Sequence, residues 1–208
     1  HWQINTNRID VYEEDLSRRV FISYRNAGML IQNSPNKDYF PEQAIKYLSF
    51  FFSRQDFNHI LNISRIGVRA RYATSYDGRF EDLLQKFISK IIKPTEYFVR
   101  IISGEIIDAG APINFKNELG NINSNSRPMK REQLFEFFKD FNKDRKDSFP
   151  STALYFDVDI WSNTKSQKTP KQIIDFLRKA SDYSWDIHEN FDKFVLHENG
   201  ENDGEEFS

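Results

Sequence analysis

Three arginines lie close together in one short segment of the chain, Arg65-Ile66-Gly67-Val68-Arg69-Ala70-Arg71-Tyr72. Because successive side chains of a β-strand point to opposite faces, Arg65, Arg69 and Arg71 share one face with Gly67. The opposite face is apolar. A row of guanidiniums either binds an anionic partner or faces carboxylates elsewhere in the sheet.

A second segment, Leu154-Tyr155-Phe156-Asp157-Val158-Asp159-Ile160-Trp161, supplies such carboxylates. Asp157 and Asp159 alternate with apolar residues and share their face with Tyr155 and Trp161. The simplest interpretation is that the arginines and aspartates pair across the exposed face of one sheet. Each such pair contributes roughly 0.2 to 1 kcal/mol.

The same residues permit functional interpretations. The guanidinium fork suits phosphate oxygens, so Arg65, Arg69 and Arg71 could contact nucleic acid or another phosphate, or a protein partner. Asp157 and Asp159 are candidate ligands for a divalent cation, because carboxylates two residues apart on a strand converge on one side. Two carboxylates make an incomplete site. A third ligand would have to come from a neighbouring strand, with Glu105 and Asp108 as candidates.

Other signals of catalysis are weak. The chain has no cysteine, which excludes thiolate zinc sites and cysteine nucleophiles, and it has no phosphate-binding glycine loop or nucleophile elbow. His188 adjoins the apolar stripe of the last predicted helix, which favours a core histidine over a catalyst. His59 falls in a predicted loop. We therefore expect no cofactor, and the sequence favours a non-enzymatic protein while leaving catalysis open.

Composition sets the class of the protein. Its 208 residues are 38% hydrophobic and 29% charged, but 20 Phe, 9 Tyr and 3 Trp predict an aromatic core. The net charge of -2 conceals an acidic segment at 198–208, ahead of which the chain is mildly positive. Nucleic-acid-binding domains are usually far more basic, so net charge gives no support to that partner. No apolar run approaches the ~20 residues that span a bilayer, and the absence of cysteine fits the cytoplasm.

Local patterns predict the secondary structure. In chain order they indicate a weak strand at 8–12, a hairpin at 19–32, a helix from Pro41, a strand at 60–74, a helix at 80–91, a strand at 97–102 continuing towards Ile107, an irregular loop at 109–127, a helix from Pro128, a strand at 154–161, and a last helix opened by the capping box Thr169-Pro170-Lys171-Gln172. An apolar stripe that includes Phe191 and Phe194 runs along one face of that helix.

These elements predict an α+β fold. Strands with one polar face favour a mainly antiparallel sheet of about five to six strands, with helices packed on the other face. We expect one domain at 1–197 and a solvated acidic tail at 198–208.

The chain resembles a sporadically distributed, uncharacterised bacterial protein family. The shared motifs are the Arg65-Ile66-Gly67-Val68-Arg69 strand, the late Asp157-Val158-Asp159 strand, and a closing helix with Ile187-His188 followed by Phe191 and Phe194. The family has Tyr-Ile-Asn where this chain has Ala70-Arg71-Tyr72, and its opening strand is not evident before His1. The resemblance implies a single α+β domain in a bacterial protein and brings no established activity.

We therefore expect a non-enzymatic interaction or regulatory module. Its polar sheet face would bind a partner protein through Arg65, Arg69, Arg71, Asp157, Asp159 and Trp161. One alternative is a metal-dependent enzyme acting on phosphodiesters or nucleotides, with the two aspartates as ligands and an arginine stabilising developing charge. Another is binding of RNA or single-stranded DNA on the same face, where bases could stack on aromatic side chains.

Overall fold

The computed structural model describes residues 2–5, 7–13, 17–23, 25–54, 63–92, 95–138, 146–163 and 169–197. The elements are β1 (Trp2–Asn5), β2 (Arg8–Tyr12), β3 (Arg18–Ser23), β4 (Ala27–Ile31), α1 (Tyr39–Phe52), β5 (Arg65–Ser75), α2 (Phe80–Ile91), α3 (Thr95–Ile102), β6 (Ala111–Asn117), β7 (Gly120–Lys130), α4 (Arg131–Phe138), a 3-10 turn (Lys146–Ser148), β8 (Thr152–Asn163) and α5 (Pro170–Leu196). The predicted α+β class is confirmed. The predicted tail at 198–208 and His59 lie outside the described residues.

The described strands form two antiparallel sheets, whereas the sequence predicted one sheet of about five to six strands. Strands β1 to β4 pair in chain order and make the N-terminal sheet. The central sheet has the order β5-β8-β7-β6. Among the described strands, none pairs from one sheet to the other.

The main core lies between one face of the central sheet and α5. Val158 and Ile160 of β8 are fully buried there, against Ile173 and Ala180 of α5. Helix α1 adds partly buried apolar side chains to the same cluster. The alternation expected of β8 is therefore confirmed on its apolar side.

Helix α5 begins as the sequence predicted. The hydroxyl of Thr169 accepts a hydrogen bond from the Gln172 backbone N–H at 3.3 Å, and the Gln172 side chain accepts one from the Thr169 N–H at 3.0 Å. Pro170 fits the first turn because its missing N–H would have no intrahelical partner. No helix in the described part of the chain is long and apolar enough to cross a membrane.

The segment 109–127, predicted as an irregular loop, instead forms most of the β6–β7 hairpin. Its Asn and Ser residues have low strand propensity, but β7 pairs on both sides, with β6 and β8, and those ladders fix its conformation. At the turn, Gly120 has a φ of 136°, and a Cβ there would collide with the carbonyl oxygen of Trp161. Only glycine tolerates both constraints.

The strand predicted at 97–102, with its continuation to Ile107, is also wrong. Residues Thr95–Ile102 form α3, and Ser103, with a φ of 52°, follows its end. In so short an apolar run, periodicity alone does not distinguish a buried strand from a short helix.

Helices cover both faces of the central sheet, contrary to the prediction of one covered face. Helix α4, predicted from Pro128, begins at Arg131 because Pro128 is still part of β7. It packs its buried Leu134 against Met129 and Tyr155, on the side of the sheet opposite α5. This face was predicted to be exposed, but its end under α4 is therefore buried in a small second apolar cluster.

We predict that Phe191→Ala destabilises the protein far more than Phe194→Ala. The Phe191 ring packs against two core clusters and stacks on Phe156 with a centroid distance of 4.8 Å, whereas Phe194 is 48% exposed. Loss of a buried Phe costs ~3 to 5 kcal/mol, and the partly buried Phe191 should approach the lower end. Thermal unfolding of both variants is the measurement. Equal losses would mean that the stripe continues as a buried face through Phe194.

Candidate functional site

The predicted polar residues do share one face of the central sheet. On β5 and β8 the directly opposed pairs are Gly67 with Trp161, Arg69 with Asp159, and Arg71 with Asp157. We call this surface the polar face; its members are Arg65, Gly67, Arg69 and Arg71 on β5, Asp157, Asp159 and Trp161 on β8, and Asn121, Asn123 and Asn125 on β7.

Asp157 is the most heavily bonded member of the polar face. Its side chain is only 10% exposed. One oxygen accepts from Arg69 Nε at 2.9 Å, and the other accepts from Arg69 Nη2 at 2.6 Å and from the Tyr155 hydroxyl at 3.2 Å. The hydrogen bond from Arg69 to Asp157 raises the pKa of the guanidinium. Arg71 Nε lies 3.8 Å from the same carboxylate, so two arginines neutralise it.

Asp159 makes a second, more exposed pair. Its carboxylate accepts from Arg65 Nη2 at 3.1 Å, and the Arg65 guanidinium also lies over the Trp161 ring, 4.5 Å from its centroid. Gly67 faces that tryptophan, and a Cβ on Gly67 would lie 3.2 Å from the Cβ of Trp161. The glycine thus leaves room for the ring on which Arg65 rests.

The two aromatic residues predicted on this face differ in exposure. Tyr155 is fully buried under α4, and burial raises the pKa of its hydroxyl. Trp161 is partly exposed, although its indole N–H is buried without a hydrogen-bond partner in the described structure. The polar face therefore has no open aromatic platform among its described residues.

A row of asparagines completes the polar face and was missed from the sequence. Asn121, Asn123 and Asn125 lie beside Trp161, Asp159 and Asp157 respectively. The signal is an Asn-x-Asn-x-Asn pattern at strand period, inside the segment predicted as an irregular loop. These amides extend the polar face towards β6.

Neither proposed third metal ligand joins the two aspartates. Asp108 pairs with Arg127, and Glu105 lies between α3 and β6. The described residues contain no group of three or more acidic or histidine side chains placed to hold a metal ion.

His188 is partly buried, as the sequence favoured, in a polar cluster where α5 packs on β5. Its ring stacks on Tyr72 at 3.9 Å, and its Nε2 lies 3.1 Å from the Thr74 hydroxyl and 3.0 Å from Asp192 Oδ2. Thr74 also bonds Asp192. A catalytic relay requires partners on both ring nitrogens. Among the described residues both partners are on Nε2 and the buried Nδ1 has none, so the cluster is suited to connecting β5 to α5.

A further acid that the sequence did not single out lies in the N-terminal sheet. Asp10 is 2% exposed and accepts hydrogen bonds from Arg8 and Arg19 at 2.9 and 2.8 Å. Burial raises the pKa of its carboxyl, but the hydrogen bonds from Arg19 and Arg8 outweigh that effect and lower it overall. Asp10 is thus similar to Asp157, because each is a buried carboxylate that lies beside two arginines.

Comparison with protein-family models, with curated proteins and with solved structures finds no match to this chain. The polar face therefore has to be interpreted from its own geometry.

We predict that Arg69 and Asp157 are energetically coupled. In denaturant unfolding, Arg69→Ala combined with Asp157→Ala should be less destabilising than the sum of the single changes. The coupling should fall near the lower end of the ~0.5 to 3 kcal/mol range, because Arg69 is half exposed and solvent screens the pair.

The exposed pair formed by Arg79, which precedes α2, and Asp82 in its first turn is the matched control, for which we expect no measurable coupling. Strict additivity at Arg69 and Asp157 would contradict the ion-pair interpretation of the polar face.

We also predict that Mg²⁺ and Mn²⁺ give no binding heat in calorimetry at millimolar concentration. A cation at Asp157 would have to displace the two-point contact of Arg69 and the hydroxyl of Tyr155. Heat with the native chain that disappears in Asp157→Asn would instead support a metal site.

Proposed function

We propose that this protein is a non-enzymatic interaction module whose polar face binds an acidic surface of a partner protein. One observation carries the proposal. The side chains of Arg65 and Arg69 are 52% and 53% exposed, yet both are held in place by the less exposed carboxylates of Asp159 and Asp157. Guanidiniums that are ordered before binding lose little conformational entropy when a partner arrives.

The charge balance between the arginines of β5 and the aspartates of β8 supports an anionic partner. Three arginines face two aspartates, and among the described residues Arg71 has only long contacts, 3.8 Å to Asp157 and 3.5 Å to the Phe137 carbonyl. Its donors are therefore poorly satisfied within the described structure. Carboxylates fit the planar guanidinium through two parallel hydrogen bonds, and an acidic protein surface offers several at once.

The alternatives have less support. A metal-dependent enzyme acting on phosphodiesters or nucleotides would need Asp157 to exchange Arg69 and Tyr155 for a cation. Binding of RNA or single-stranded DNA would need aromatic surface for base stacking, but Tyr155 is buried and one side of the Trp161 ring faces Arg65. The bacterial origin implied by the resemblance and a cytoplasmic location, which suits a chain without cysteine, belong to the same proposal.

Quantitative capture from a bacterial lysate tests this function. We expect Arg65→Ala combined with Arg71→Ala to lose proteins that the native chain retains at low salt, because two exposed cations are removed from the polar face. The control, Arg178→Ala combined with Lys179→Ala, removes the same charge from the exposed side of α5 and should retain them.

Thermal unfolding of both variants shows that each is folded, and nuclease treatment of the lysate separates protein from nucleic-acid partners. Identical captured sets for the two variants would contradict a role for the polar face. Captured material that disappears with nuclease would favour the nucleic-acid alternative.

A further inference from the structure

Strand β5 is an edge of the central sheet. In the order β5-β8-β7-β6 it pairs with β8 alone among the described strands. Its apolar side packs on α5, while Arg65, Arg69 and Arg71 lie on the polar side. An edge strand presents unpaired backbone N–H and C=O groups along its outer side, which can template pairing with another strand.

The phase of the β5–β8 ladder identifies those outward groups. The Tyr76 N–H donates to the Thr152 carbonyl at 3.1 Å and continues the β5–β8 register, so this opposed pair is hydrogen-bonded. Hydrogen-bonded and non-hydrogen-bonded pairs alternate in an antiparallel ladder. The even-numbered residues from Ile66 to Thr74 therefore bond β8.

The odd-numbered residues, Arg65, Gly67, Arg69, Arg71, Ala73 and Ser75, direct their N–H and C=O groups towards the open edge. These are also the residues whose side chains lie on the polar face. At Arg69 and Arg71, one residue thus offers a guanidinium and two backbone hydrogen bonds to the same incoming residue.

We propose that an extended acidic segment of the partner protein adds to β5 as an antiparallel fifth strand. The inference rests on the proposed function and specifies its partner. Residues of the segment opposite Arg69 and Arg71 would lie on the polar face, where acidic side chains match the guanidiniums. Residues between them would lie on the side of Ala70 and Tyr72, where apolar side chains match. The expected partner motif alternates acidic and apolar residues.

Charge and composition favour an acidic partner segment over two other possible occupants of the β5 edge. A second copy of β5 paired antiparallel around Arg69 would place arginine opposite arginine, which is destabilising. The segment at 201–206 of this chain, Glu-Asn-Asp-Gly-Glu-Glu, has acidic residues at alternate positions but only Asn, Gly and Glu between them. It lacks the apolar half of the motif and has low strand propensity.

The test is fluorescence anisotropy of the full chain with a labelled synthetic peptide that alternates Glu and Val over the length of β5. We expect saturable binding that weakens with salt, and no binding of a peptide that alternates Lys and Val. N-methylation of every Glu amide should weaken binding by more than about tenfold, because those amides face β5. N-methylation of every Val amide should leave the affinity unchanged, because those amides point away.

Variants of the protein check the same geometry. Ala73→Pro removes one outward N–H without breaking a bond to β8 and should weaken binding, as should Arg71→Ala. Lys116→Ala, on the far edge strand β6, is the control that should bind normally. Should Ala73→Pro fail to fold, the two methylated peptides still decide the question.

The remaining outcomes separate the two proposals. Equal binding of both methylated peptides would overturn strand addition, while the lysate experiment could still support the polar face. Equal binding of the Lys peptide would count against both. Peptide binding that appears only after Glu201→Gln, Asp203→Asn and Glu205→Gln would make this chain's own acidic segment the occupant. Light scattering that finds a dimer dissociated by Ala73→Pro would make the occupant a second copy, and either result would overturn the proposed partner.

Discussion

The carboxylate of Asp157 is the constraint around which the central sheet is arranged. A charge nearly removed from water near the middle of β8 is costly unless it is paired and hydrogen-bonded. Arg69 supplies two bonds and Tyr155 a third, from opposite sides of the aspartate. Phe137 and Phe138 of α4 pack against the Tyr155 ring, so the position of α4 and the chemistry of the polar face are linked through one oxygen.

Strand β8 contributes to apolar clusters on both faces of the central sheet. Its apolar side faces α5 through Phe156, Val158 and Ile160, and its other side carries Tyr155 and Ala153 into the cluster under α4. The polar face lies on the same side of the sheet as α4, on the part that α4 leaves uncovered. It is therefore a surface on a rigid sheet, with no described loop supplying its charged residues, and such support favours recognition by shape and charge together.

Much of this arrangement could be predicted from the sequence, because it depends on period-two alternation. The two diagnostic strands, the sharing of one face by Arg69 and Asp157, and the capping box of α5 all follow from local pattern. The hairpin at 111–130 could not, since Asn123 and Ser124 favour turns and only the neighbouring strands make them a strand. Sheet number and the position of α4 depend on long-range packing, which the order of residues does not encode locally. The burial of Tyr155, and hence its bond to Asp157, was hidden for the same reason.

The opposition of Gly67 and Trp161 has a consequence for the fidelity of folding. A slip of β5 against β8 by one residue would exchange the polar and apolar faces and is strongly disfavoured. A slip by two residues would preserve both faces, so the hydrophobic pattern alone does not prevent it. In either direction, however, that slip would place an arginine, Arg65 or Arg69, opposite Trp161 in the narrow space that the glycine now leaves open. The absence of a side chain at Gly67 thus helps to fix the register of β5 against β8. It distinguishes the native pairing from registers that bury the same apolar residues.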